Sequence, residues 1–197
     1  YNQFEEKINF LDSINLYQRI NKIQLNGEQT DAVLNSLKKG VSIITGGPGT
    51  GKTTIVRCIL EMFKELNKKV LLCAPTGRAS KRLTESSKME AKTIHRALEM
   101  NPSDGEGFFH RNQDNPIDAD VIIADEMSMV DVNLFYHLLK ATKSTTRLIL
   151  VGDKDQLPSV GAGNVLRDLI ESKKIYTTHL VNIYRQDNDS LIITNAH

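Results

Sequence analysis

A chain of 197 residues with 40% apolar side chains is long enough to bury a core in one domain, with or without appendages. Its formal charge of +1 excludes a global basic field, so any contact with nucleic acid must be local. No apolar run approaches the roughly 20 residues of a membrane helix and no signal peptide is visible, while the two cysteines, Cys58 and Cys73, lack metal or redox spacing, as expected of reduced thiols in a cytoplasmic protein.

Phe4, Ile8, Leu11 and Ile14 recur at helical spacing, so residues 1–24 are expected to form an amphipathic helical lead-in. A second helix is expected to begin near Asn26, carry Ala32, Val33 and Leu37 inward, and end at Lys38 and Lys39 with Gly40 as C-cap. Gln29 follows Asn26 by three residues, the spacing of a capping box. It also lies shortly upstream of the most informative stretch in the chain.

That stretch is VSIITGGPGTGKTTI, residues 41–55. A β-branched apolar run enters a glycine-rich turn, and a helical pattern starts near Lys52: strand, phosphate loop, helix. Gly46, Gly51, Lys52 and Thr53 fill every fixed position of the P-loop pattern G-x-x-x-x-G-K-S/T, which chance supplies at roughly one start in thirty thousand. Gly46, Gly47, Pro48, Gly49, Thr50 and Gly51 would let backbone N–H groups curl around phosphate. The helix N-terminus, with Lys52, Thr53 and Thr54, would add the positive dipole end, an ammonium for the β- and γ-phosphates and a hydroxyl for Mg2+. The spacing of Gly47, Gly49 and Gly51 does not fit the dinucleotide fingerprint.

Ile55, Ile59, Phe63 and Leu66 continue the helix until Asn67, and residues 70–74 form a short, continuously apolar strand suited to a parallel sheet covered on both faces. Pro75, Thr76, Gly77 and Arg78 then make a turn opening a helix with Lys81 and Arg82, on the same carboxyl rim as the P-loop. Residues 93–98 open a further short helix, in which His95 is structural or a surface group as readily as a ligand. Residues 99–119 break the rhythm; they form a long solvated loop or a short hairpin, and Phe108 with Phe109 hints at a contact surface.

A third strand, 120–124, ends at Asp125-Glu126, the Walker B arrangement of one magnesium carboxylate and one that polarises water, with helix capping by Asp125 as the alternative. On a strand the two side chains would point to opposite faces. A fourth strand, 147–151, leads to Gly152, Asp153, Asp155 and Gln156, whose amide could sense a γ-phosphate. The segment Val160, Gly161, Ala162, Gly163 allows close backbone approach, Val165, Leu166 and Leu169 start another helix, and 177–181 is a fifth strand followed by Tyr184, Arg185 and Gln186. In isolation Arg185 is equally a surface cation.

These units describe an α/β, RecA-like P-loop NTPase core: a mainly parallel sheet of five or more strands with helices on both faces. LNGEQ, GGPGTGKTT, APTGRASKRL, TIHRAL, DEMSMVD, LVGDKDQLPSVGAGNVLRDL and IYRQ further resemble, in order, the Q motif and motifs I, Ia, Ib, II, III and IV of RecD-like superfamily 1 DNA helicases, a group that includes the alpha subunit of exodeoxyribonuclease V. The resemblance spans roughly residues 25–190. It implies that Gln29 recognises adenine, which favours ATP, that Asp125 binds Mg2+ and that Glu126 is the catalytic base. It further implies that Gln156 couples the γ-phosphate to DNA and that Arg185 is an arginine finger, worth about 10³ to 10⁵ in rate. Pro75, Thr76, Gly77, Arg78, His95, Arg96, Val160, Gly161 and Gly163 would line the path of single-stranded DNA, and the 99–119 insertion would help part the duplex.

The expected organisation is therefore a lead-in, 1–24, and one RecA-like motor domain, 25–197. Such helicases close two motor domains on ATP, and neither a second core nor motifs V and VI follow Ile183. With Tyr1 in place of a start methionine and the pattern stopping at His197, the chain is expected to be the first motor domain of a longer protein, unable to unwind DNA alone. Its expected partners are single-stranded DNA at a duplex junction, its own second domain, and nuclease or helicase subunits, but no membrane. A nucleotide kinase is disfavoured because no lid arginine cluster or acceptor pocket is visible, and a GTPase because no N/T-K-x-D motif occurs. An ATP-gated DNA-binding module without hydrolysis remains the alternative.

Overall fold

The computed structural model describes residues 9–101 and 108–182. Six strands form one parallel sheet: β1 (Val41–Gly46), β2 (Val70–Ala74), β3 (Ala91–Thr93), β4 (Val121–Ala124), β5 (Arg147–Gly152) and β6 (Tyr176–Leu180), ordered β3-β2-β4-β5-β1-β6. The continuously apolar strands follow from burial on both faces, since neighbouring residues such as Ile43 and Ile44, or Ile122 and Ile123, enter different apolar layers.

One layer is covered by α1 (Phe10–Asn21), α2 (Gly27–Lys38), α3 (Lys52–Glu65) and α4 (Gly77–Ser87), the other by α5 (Ile94–Ala97), α6 (Val132–Lys140) and α7 (Val165–Glu171). The strand carrying the P-loop, β1, lies directly beside β5. From β1 the chain crosses one face through α3, and from β5 it crosses the other through α7. Connections that diverge in this way leave a crevice at the carboxyl ends of the two strands, where open α/β sheets bind ligands.

Several expectations need correction. The lead-in helix buries Phe10, Ile14 and Tyr17, whereas Leu11 is 48% exposed, because the stripe facing α3 is set one residue away from the expected phase; Phe4 and Ile8 lie outside the described residues. Gly40 is not a left-handed C-cap, since α2 closes on Lys39 in extended backbone. The six strands among the described residues fit the expected sheet of five or more, but the strand not foreseen, β3, ends at Thr93, which is expected to open a helix. Its pairing with β2 overrides the local pattern. Phe109 is buried while Phe108 is half exposed, and an isolated antiparallel bridge joins Met100 to Phe109.

Candidate active site

The P-loop leaves β1 and closes on itself: the Thr50 hydroxyl donates to the Gly47 carbonyl at 2.8 Å. Lys52 folds back so that Nζ donates to the carbonyls of Gly46 and, at 2.9 Å, Gly47. An ammonium held over a loop of backbone amides, at the start of a 14-residue helix, is a charge arrangement suited to an anion. Gly51 has φ 86, left-handed backbone that favours glycine. A Cβ there would also lie 2.3 Å from Gln29 Nε2, so a side chain at this position would displace the Gln29 amide.

Gln29 completes the expected capping box: its backbone N–H donates to Asn26 Oδ1 at 2.8 Å and its Oε1 accepts from Asn26 N–H at 3.1 Å. The same amide donates through Nε2 to the Thr50 carbonyl at 3.2 Å. Capping and contact with the P-loop are therefore simultaneous, and the side chain is only 3% exposed. Gln29, Pro48, Gly49, Thr50, Gly51, Lys52, Thr53 and Thr54 line one open cavity together with Ile23 and Gln24.

The acidic pair follows β4. Asp125 continues the sheet by donating its N–H to the Cys73 carbonyl at 2.9 Å, and its Oδ1 accepts from Glu126 N–H at 2.8 Å. Burial pushes the Asp125 carboxyl up to about 6, against the opposing influence of that hydrogen bond and of Lys52, while the neighbouring Glu126 charge adds to the rise. Glu126 is not on the strand: it has φ 54 and begins a 3₁₀ turn, Met127–Met129, so the expected alternation of strand faces does not apply. Thr53, Asp125, Glu126 and Arg82 line one depression. One hydroxyl and two carboxylates make an oxygen donor set, which fits a hard cation such as Mg2+. Among the described residues no three His, Cys, Asp or Glu side chains cluster, so phosphate oxygens and water would have to supply its other ligands.

Gln156 lies on the loop after β5, pinned to β1 because Lys154 N–H donates to the Thr45 hydroxyl at 3.1 Å. Its Oε1 accepts from the hydroxyl of Ser128 at 2.7 Å. Arg185 lies outside the described residues.

The other rim groups are more dispersed. Thr76 caps α4, accepting from Ala79 N–H at 3.2 Å, with Pro75 before it and Gly77 and Arg78 in the first turn. His95 and Arg96 are exposed on α5, and the His95 ring lies 6.2 Å from that of Phe109. Val160 is fully exposed, while Gly161 and Gly163 approach the start of α6 so closely that a Cβ on either would lie 2.3 Å from Asp131 or Val132. The close approach expected of this segment is thus satisfied within the domain.

A sequence profile described as an AAA domain matches residues 29–162. The chain belongs to the AAA domain family. Its sequence is similar to that of RecD-like helicases over most of its length. It is 40% identical over 171 residues to the ATP-dependent RecD2 DNA helicase of Deinococcus radiodurans, an alignment covering 86% of this chain and 23% of the relative. It is also 40% identical over 167 residues to the RecBCD enzyme subunit RecD of Mycolicibacterium smegmatis, covering 73% and 30%. This AAA domain therefore spans under a third of the length of these relatives. Among solved structures, Pif1 helicase from Candida albicans superposes with a TM-score of 0.65 at 27% identity, covering 87% of this chain and 43% of that one. Bacteroides sp Pif1 in complex with ADP-AlF4 superposes at 0.58 and 20% identity, covering 83% and 43%, a likeness of fold.

Two residues of the AAA domain site were not legible in advance. Arg82 was assigned only to a helix, yet it borders the Thr53 and Asp125 depression. Ser128 sits inside DEMSMVD, but its contact crosses from one strand end to the next. Both thiols are buried and pushed up to about 12, mainly by burial, so neither offers a nucleophile at neutral pH. Among the described residues no helix is long and apolar enough to cross a membrane.

Proposed function

We propose that this chain is the first of two RecA-like motor domains of a cytoplasmic DNA helicase, which binds and hydrolyses ATP and moves 5′ to 3′ along single-stranded DNA. The observation that carries this assignment is that Thr53, Asp125 and Glu126 line one depression whose Thr53 side also belongs to the P-loop cavity. Lys52 holds the phosphates, and the Gln29 amide, with one N–H and one lone pair still free after its two contacts, reads the adenine edge. Thr53 and Asp125 would hold Mg2+, which would supply positive charge to offset that of the phosphates. Glu126 takes a proton from the attacking water, and Arg185 completes the site from the following segment.

Pro75, Thr76, Gly77, Arg78, His95, Arg96 and the 160–163 loop contact the DNA strand through phosphate and shape, so binding should weaken with salt and ignore sequence. The insertion around Phe108 meets the duplex junction. The second motor domain belongs to the remainder of the polypeptide, and nuclease or helicase subunits are candidate partners because relatives are named as RecBCD subunits. Phosphate release by the full-length protein, with and without single-stranded DNA, tests the assignment. DNA-stimulated release supports a motor; DNA binding that requires ATP but releases no phosphate would identify a non-hydrolysing module instead.

A further inference from the structure

Resting on the helicase assignment above, we propose that Ser128 is a positioning residue that holds the Gln156 side chain beside the turn after Glu126, so that its carboxamide is in place to meet the triphosphate. A glutamine amide carries two donors on one arm and an acceptor on the other, and an exposed one turns over freely. Gln156 is exposed and sits on a loop. Its oxygen, however, is occupied by the Ser128 hydroxyl at 2.7 Å. With Oε1 bonded in this way the N–H₂ is left over, and an N–H donor is what phosphate oxygens, acceptors at neutral pH, require.

The orienting group is held firmly. Ser128 is 6% exposed and lies on the 3₁₀ turn that follows Glu126. That turn packs on the end of β5: a Cβ on Gly152 would lie 3.2 Å from Met127 N and 3.4 Å from Ser128 N. Asp153 holds the Gln156 backbone through a 3.2 Å hydrogen bond from Gln156 N–H to its carbonyl. One rigid turn therefore positions both the carboxylate that starts it and, through a hydroxyl two residues on, the amide of the neighbouring loop. Ser128 acts through Gln156 and touches no substrate itself.

The test is steady-state ATP hydrolysis by the full-length protein on single-stranded DNA, across a range of ATP concentrations, for wild type, Ser128→Ala, Ser128→Thr, Gln156→Ala, Gln156→Glu and the Ser128→Ala/Gln156→Ala double variant. Ser128→Ala should lower kcat about tenfold with KM for ATP within about twofold. Ser128→Thr, which keeps the hydroxyl, should recover to within about threefold of wild type, and the double variant should lose no more than Gln156→Ala alone. Gln156→Glu still accepts from Ser128 but has no amino group, and should be as impaired as Gln156→Ala. Near-normal turnover by Gln156→Glu, an unchanged kcat in Ser128→Ala, or losses that multiply in the double variant would each overturn the proposal. If wild type itself hydrolyses no ATP, the helicase assignment fails and this inference with it; a hydrolysing wild type with an indifferent Ser128→Ala sinks the inference alone.

Discussion

Gln29 and Thr50, 21 residues apart, are joined by a hydrogen bond of 3.2 Å from the glutamine amide to the threonine carbonyl, which fastens the first turn of α2 to the P-loop. The contact exists because Gly51, next in the chain, leaves room for the amide. Gly51→Ala should therefore fail twice, by straining left-handed backbone and by pushing Gln29 away. A destabilisation of about 1–3 kcal/mol is expected, a fall in Tm of roughly 3–10 °C, with nucleotide affinity weakened at least about tenfold. Adding Gln29→Ala, which clears the space, should recover part of the stability. Thermal scans and nucleotide titrations of the single and double variants check both statements, and no recovery would mean that the clash is not the cause.

Lys52 and Glu126 should separate binding from turnover. Lys52→Ala removes the ammonium held over the loop and should abolish detectable nucleotide binding. Glu126→Gln keeps the size and the backbone turn while removing the base; nucleotide affinity should stay within about threefold while hydrolysis falls about a hundredfold or more. Titration with a fluorescent nucleotide, beside phosphate release, distinguishes them. Equal loss of binding in both variants would contradict the role given to Glu126.

Asp125 ties stability to pH. Its carboxyl is raised from 3.8 to about 6 in the folded chain, chiefly by burial. Between those values the folded state binds more protons than the unfolded one. For this group, stability of the nucleotide-free, metal-free protein thus falls as pH rises from about 4 to about 6 and is flat above, a loss on the order of 3 kcal/mol. Asp125→Asn retains an oxygen to accept from Glu126 N–H but carries no charge. The variant should melt roughly 6–12 °C above wild type at pH 7.5, with the difference vanishing near pH 4, and should lose the Mg2+-dependent part of nucleotide affinity. A lower Tm at pH 7.5 would count against burial as the cause of the shift.

On the proposed DNA side, Arg96→Ala should weaken single-stranded DNA binding equally for all sequences. The slope of log affinity against log salt should shrink by about 0.7, one phosphate contact on a single strand. Fluorescence anisotropy over a salt series in the full-length protein measures it, and an unchanged slope would remove Arg96 from the strand path.

The P-loop was legible in the sequence because its chemistry dictates residue types: glycine where Cβ cannot fit, lysine and a hydroxyl at the helix start. The long buried strands were equally plain as apolar runs. β3 was not, because Ala91 and Thr93 are only partly buried and Lys92 is exposed, which leaves no apolar signal. The phase of α1 was misjudged since Ile14 belongs to both candidate stripes, and only packing against α3 chooses Phe10 over Leu11. Ser128 was passed over because its partner is 28 residues away and becomes a neighbour only when β4 pairs with β5. For Gln29 the spacing favours the capping box, which the structure has, whereas its additional bond to the Thr50 carbonyl, 21 residues away, has no local signal.

The placement of β1 also bears on how the protein is made. Its two ladder partners, β5 and β6, begin at Arg147 and Tyr176, so every backbone pairing of the strand that launches the phosphate loop is with residues more than a hundred positions downstream. Contacts of such long sequence separation form late and slowly. During synthesis the loop therefore emerges from the ribosome long before its strand has anything to pair with.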